Sequence, residues 1–313
     1  MAVVTSLILT CFKASSFTVE EYSVQATTID SAAYLEKGIQ TLAQLPPFSP
    51  ILNKLMASLA DEDACVSELA EWIEKDPVMT GHVLRLVNSA AFGRRGTISS
   101  VRHAIAIMGL IKLRNTVLGI SVCRMWTHLR TPSGWSTARF NHHASATGIM
   151  ADLIVQYSPV EYGEGAFVAG LLHDIGMLVI ALGLSPQYLE IQEMFRTERS
   201  QDECELAVLG LRHSDYSAAT LEKWNLPVPI QTAVRFHHHP AHSPVDAGNG
   251  LTLSRVVNIS DEIVKMMGIS IMPNSRICTL EEASGLLDEI GLGAKAEKIV
   301  DTFQKEYDAI KAV

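Results

Sequence analysis

Gly165-Ala-Phe-Val-Ala-Gly-Leu-Leu-His-Asp-Ile-Gly-Met-Leu-Val-Ile-Ala-Leu-Gly-Leu184 is apolar along its whole length except at its centre. Its length is that of a membrane span, about 20 residues. His173 and Asp174 at the midpoint argue against that reading, since a central Asp alone costs about 2.5–3.5 kcal/mol on insertion. The stretch therefore reads as a helix buried in a protein core. Its polar pair then needs something to satisfy it, because unpaired polar groups are costly to bury.

Helix signals continue outward in both directions. Upstream, helices are predicted over 29–45 (capped by Asp30 or Ser31, stopped by Pro46-Pro47), 49–60, 67–75 (capped by Ser67) and 77–91 (closed by Phe92-Gly93). Two more follow over 99–108 and 110–129, broken around Gly109, and Thr131-Pro-Ser-Gly134 marks a subdomain boundary. Downstream the pattern predicts helices over 135–157, 165–182, 185–197, 202–209, 213–224, 227–238, 251–268, 280–290 and 294–312, with a Pro- and Gly-rich loop at 240–250. No convincing strand alternation, internal repeat or low-complexity tract interrupts them. The fold class is all-α.

Composition agrees. Of 313 residues, 48% are hydrophobic and only 6% aromatic, which favours helices over a β-sandwich. The apolar run from Val3 to Phe12 lacks basic flanking residues and is too short to span a bilayer, so it reads as an extension rather than a signal peptide. Cys11, Cys65, Cys123, Cys204 and Cys278 are scattered and odd in number, which fits a reducing cytoplasm and no disulfide framework. A net charge of −9 argues against a nucleic-acid partner. No acidic residue occurs between Asp76 and Asp152, an interval rich in arginine. Basic helices lying against acidic ones account for that better than a docking face for an acidic partner.

The chemistry-bearing residues fall in order: His142, His173-Asp174, His213, His237-His238 and Asp261. His142 shares a helical face with Ala146, Ile149 and Leu153, and Asp261 sits in an apolar run. Asp215, His239 and His242 read as surface residues. Any one of these histidines is more often a hydrogen-bonded core residue than a ligand. Together, imidazoles and carboxylates suit Fe or Mn, then Zn, as one or two ions. An adjacent His-Asp lets the Asp bridge two ions, and two ions about 3.5–4 Å apart clamp a phosphate oxygen.

Leu45-Pro-Pro-Phe48, Ser67-Glu-Leu-Ala70, Asp76-Pro77 and Leu84-Arg-Leu-Val-Asn-Ser-Ala-Ala-Phe-Gly93 closely resemble the opening of HDOD domains. Leu171-Leu-His-Asp-Ile-Gly176, Glu222-Lys-Trp-Asn-Leu-Pro227 and His237-His238 continue the likeness. HDOD domains are similar in their second half to HD-GYP phosphodiesterases. The resemblance implies an extension (1–28), an HDOD domain (29–268) and C-terminal helices (269–313). The domain divides into an N-terminal helical lobe (29–134) and an HD-like lobe (135–268). It also implies one ion on His142, His173, Asp174 and Asp261 and another on Asp174, His213, His237 and His238. His143, one residue on, is the alternative first ligand.

Two departures bear on activity. Met177 stands where active HD-GYP enzymes carry Lys, and no GYP-bearing loop follows His238. The expectation is a bacterial, cytoplasmic signalling module that binds a small anionic ligand or a signalling protein acting in trans, with no membrane role. The rivals are a metal-dependent phosphohydrolase with Asp174 as its catalytic residue and a purely structural scaffold.

Overall fold

The computed structural model describes residues 29–44, 49–57, 66–89, 97–196, 199–245, 251–272 and 280–311. The 1–28 extension, the string at 45–48, the Phe92-Gly93 stop and the end of the 240–250 loop lie outside them. The described residues are helical, with no strand among them. In chain order the helices are α1 (Ser31–Gln40), α2 (Pro50–Ala57), α3 (Val66–Glu74), α4 (Pro77–Val87), α5 (Val101–Met108) and α6 (Leu110–Met125). There follow α7 (Thr137–Val155), α8 (Ala166–Leu172), α9 (Ile175–Gly183), α10 (Ser185–Phe195), α11 (Gln201–Leu209), α12 (His213–Lys223) and α13 (Val228–Arg235). The last three are α14 (Leu253–Met266), α15 (Leu280–Asp288) and α16 (Ala296–Lys311).

Local chemistry sets these boundaries. Asp30 accepts from the backbone N–H of Ala33 at the start of α1. Asp76 accepts from Val78 and Met79 ahead of Pro77, so α4 begins with its free donors satisfied and a preset φ. Ser200 and Glu203 form a reciprocal capping box on α11. Gly109, at φ 82°, takes the left-handed turn that bends α5 and α6 apart by 115°.

Helices α2 to α6 pack on one another. Helix α7 is the strut of the rest, lying against α8, α14 and α16, while α12 joins α9 to α13. The close approach of α7 to α8 depends on glycine: a Cβ on Gly170 would meet the Thr147 carbonyl oxygen at 2.7 Å and the Gly148 Cα at 2.9 Å. The extensive contacts of α1 are with α9 and α12. One apolar core runs from Ile51 to Ala309, so both groups of helices share it. A smaller cluster around Val179, Tyr188 and Tyr216 lies apart from it. Lys112 on α6 pairs with Glu306 on α16.

The apolar stretch over 165–184 is buried, but it is not the single helix predicted over 165–182. The chain leaves helical geometry at Asp174 (φ −100°, ψ 12°), separating α8 from α9. A straight helix would fan consecutive side chains about 100° apart. The break lets His173 and Asp174 enter one centre.

Candidate metal centre

The break between α8 and α9 faces α7, α12, α14 and the turn after α13. His173 and Asp174 lie at the break and His213 is the first residue of α12. His237 and His238 follow the end of α13, which stops at Arg235, so the helix predicted over 227–238 is shorter than expected. Asp261 lies within α14.

Glycine again permits the approach. A Cβ on Gly176 would meet the His213 carbonyl oxygen at 2.0 Å and the Ser217 nitrogen at 2.7 Å. The Gly176 N–H donates to Ser217 Oγ at 2.8 Å, tying α9 to α12.

The two oxygens of Asp174 point to different groups. Oδ2 lies 3.4 Å from His143 Nε2 and 3.3 Å from His173 Nε2. Oδ1 lies 3.1 Å from His213 Nε2 and 3.7 Å from His237 Nε2. Asp261 Oδ1 closes the first group, 3.1 Å from His143 Nε2 and 3.6 Å from His173 Nε2. His238 Nε2 closes the second, 3.0 Å from His213 Nε2. Each group is compact enough to hold an ion: His143, His173 and Asp261 in one, Asp174, His213, His237 and His238 in the other.

The sequence-based assignment of His142 is thereby corrected. His142 is partly exposed and meets the Tyr307 ring edge-on, with centroids 6.1 Å apart, whereas His143 is fully buried at the centre. The physical reason is that α7 is buried on nearly every side from His143 to Ala151. The apolar face shared by His142, Ala146 and Ile149 does not mark the side that meets α8 and α14. The other predicted residues come together. Of the three read as surface residues, His239 and His242 are exposed. His239 is 2.9 Å from Asp202 at the cavity rim, and Asp215 is partly buried, accepting from the Arg212 N–H.

The outer nitrogens of the rings are anchored. His143 Nδ1 donates to the Ile269 carbonyl at 2.8 Å, His173 Nδ1 to that of Gly170 at 2.7 Å, and His237 Nδ1 to that of Val234 at 2.6 Å. A carbonyl only accepts, so in the neutral rings Nε2 is left as a lone pair facing inward. His213 Nδ1 instead lies 2.7 Å from Glu205, which also accepts the His213 backbone N–H. Five buried atoms at the centre have no hydrogen-bond partner: Nε2 of His143, His173 and His237, Oδ1 of Asp174 and Oδ1 of Asp261. Convergent lone pairs without donors fit a cation, and oriented imidazoles with carboxylates are the donor set of a transition ion.

The carboxylates dominate the field at the centre and favour positive charge there. Burial opposes charge on His173, but Asp174 and Asp261 outweigh it and lift the ring to about 9. Burial likewise opposes charge on His213, yet Glu205 and Asp174 hold it well above the usual imidazole range. His237, buried beside His173, is driven down to about 3. Burial pushes the Asp174 and Asp261 carboxyls upward, but the rings and Lys265 more than offset this and hold both well below the usual carboxylate range.

Glu205 and Lys265 were missed by sequence reasoning. Lys265 stands one turn beyond Asp261 and donates to its Oδ2 at 2.6 Å, a partner that i,i+4 spacing would have flagged. Glu205 is 1% exposed on α11, and no sequence signal ties it to His213. A cavity of about 430 Å³ opens onto the centre, lined in part by His143, Asp174, His213, His238, Lys265 and the buried Met177.

The sequence profile of the HDOD domain matches residues 45–240. An uncharacterized protein from Treponema pallidum (strain Nichols) is 26% identical over 230 residues, covering 71% of this chain and 42% of that protein. The chain thus spans about two-fifths of the length of this curated relative. An HDOD domain protein of unknown function from Geobacter sulfurreducens superposes with a TM-score of 0.71 at 18% identity, covering 90% of this chain and 99% of that one. A candidate phosphohydrolase from Shewanella amazonensis SB2B gives a TM-score of 0.68 at 21% identity, covering 88% and 97%. At these identities the likeness establishes the shared helical fold.

Proposed function

This chain belongs to the HDOD domain family, and from that premise we propose that it is a signal-transduction module whose centre holds one or two divalent transition ions. Fe or Mn is the first choice and Zn the second. The module presents the ions to a small anionic ligand or to a partner protein. His143, His173, Asp174 and Asp261 would hold one ion, and Asp174, His213, His237 and His238 the other. The observation that carries this reading is the division of the two Asp174 oxygens between two groups of inward-facing ring nitrogens, three of which have no hydrogen-bond partner.

When bound, such ions supply Lewis acidity toward a phosphate oxygen. The residues of this chain orient the rings, exclude solvent and offset the carboxylate charge. They are less suited to positioning a reacting phosphate. Met177 brings no charge to the cavity wall, and the charge of Lys265 is engaged by Asp261. Losing one such stabilising group typically costs about 10²–10³ in rate, which favours binding over turnover. A working phosphohydrolase is the second reading, favoured by the completeness of the two ligand groups.

Elemental analysis of the purified chain tests the first reading. Bound transition metal that is lost in Asp174→Asn is the expected result, and metal content that is negligible or indifferent to that substitution overturns it. Incubation with cyclic dinucleotides separates the readings. Slow hydrolysis fits the regulatory module, and rapid hydrolysis abolished by Asp174→Asn establishes the enzyme.

A further inference from the structure

A second group of polar side chains, one buried and the others half-buried, lies where α6 meets α7 and α16, away from the histidines. They face a cavity of about 200 Å³ with apolar walls at Ile149, Phe167 and Ile310 and with Lys112 and Lys305 also on its lining. Asn115 is only 3% exposed, and its side-chain N–H donates to Asp152 Oδ1 at 3.0 Å. A carboxylate accepts and does not donate, so this bond fixes which end of the amide is nitrogen. The amide oxygen, Oδ1, is buried and has no donor. The second Asp152 oxygen accepts from Gln156 at 3.1 Å, and Glu306 on α16 lines the same cavity, paired with Lys112.

We propose that this cavity binds a small primary amine with a compact apolar body. The ammonium lies between Asn115 Oδ1 and the Asp152 carboxylate, and the body fills the space against Ile149, Phe167 and Ile310. An uncompensated buried acceptor costs about 1–3 kcal/mol, so a donor at that position is favoured. A bare metal ion fits poorly, since hard cations need about six or more oxygen ligands and these walls are apolar. The size is right for a ring with one substituent: a dry cavity of roughly 150 Å³ takes up benzene.

Of the two carboxylates, Glu306 is paired with Lys112, which leaves Asp152 as the one an ammonium would meet. Burial, with Glu306 adding to it, pushes the Asp152 carboxyl up to about 6, against the opposing pull of Gln156, Lys112 and Arg114. An ammonium at that position would hold the carboxylate ionised. This proposal does not rest on the metal centre, although α7 carries both His143 and Asp152.

Calorimetric titration of the full chain with cyclohexylmethylamine, and with cyclohexylmethanol as the uncharged isostere, is the test. The amine is expected to bind at one site, at least about tenfold more tightly than the alcohol. Asp152→Asn is expected to remove that preference, and Ile149→Trp to block both compounds by filling the cavity. Should Ile149→Trp fail to fold, the Asp152→Asn pair of titrations decides alone. Absence of saturable amine binding in the wild type, equal affinity for the two compounds, or a preference that survives Asp152→Asn each overturns the proposal.

Discussion

Helix α7 passes through two polar clusters that differ in what they lack. At His143 the unpartnered atoms are ring nitrogens and carboxylate oxygens, and they converge on one another with no apolar wall between them. Near the far end, at Asp152, one orphaned amide oxygen and two carboxylates look into a cavity walled largely by hydrocarbon. The first arrangement asks for a concentrated positive charge with several coordination positions. The second asks for one cationic donor attached to an apolar body. The kind of ligand a buried site calls for can be read from the geometry of its unmet acceptors and from what surrounds them.

The sharpest way to break the contrast is Asp174→Asn. Because Asp174 serves both groups, metal content is expected to fall at both by at least about 100-fold in affinity, while amine binding stays unchanged. The paired substitutions His143→Ala and His142→Ala refine this: the first loses metal and the second keeps it, as elemental analysis will show. Gly176→Ala comes next. Its new methyl would collide with the His213 carbonyl, so a loss on the order of 3–4 kcal/mol in unfolding free energy is expected, together with weakened metal binding.

Glu205→Gln has a smaller expected effect. It keeps the shape of the side chain but removes the carboxylate that orients His213, and metal affinity should drop by about 10–100-fold without unfolding. Mn or Fe added to the wild type should raise Tm, by an amount equivalent to about 2.7 kcal/mol at a hundred times Kd. A melting curve indifferent to both metals counts against the centre.

The smallest expected effect concerns pH at the amine cavity. Asp152 has its carboxyl raised in the folded state, to about 6. The folded chain therefore binds this proton more tightly than the unfolded chain, and the resulting stability is present at low pH. That stability is lost as pH rises through the window from about 4 to about 6, by on the order of 2 kcal/mol for a group that keeps some contact with water. Denaturant titrations of wild type and Asp152→Asn across that window should show the slope only in the wild type.

Much of this was legible in the chain itself. The cap at Asp30 and the turn at Gly109 act locally, so their residues announce them. The order of histidines and aspartates led to the centre because the family motif preserves sequence context. What failed was rotation about α7. A helix buried all round carries no polar face to fix its phase, so His142 and His143 could not be told apart. The break at His173-Asp174 was hidden for a related reason, since an apolar flank on each side looks the same whether or not the helix continues. Glu205 and the cavity at Asn115 depend on helices far apart in sequence, and no spacing rule reaches that distance.

The anchoring of the rings has a consequence for how the centre can change. Three of the four anchored imidazoles rest on peptide carbonyls, at Ile269, Gly170 and Val234. A point mutation replaces a side chain but leaves the carbonyl in place. Only His213 leans on a replaceable group. Substitution at position 205 is therefore a route by which one ring of the centre can be retuned while the other three anchored rings keep their orientation.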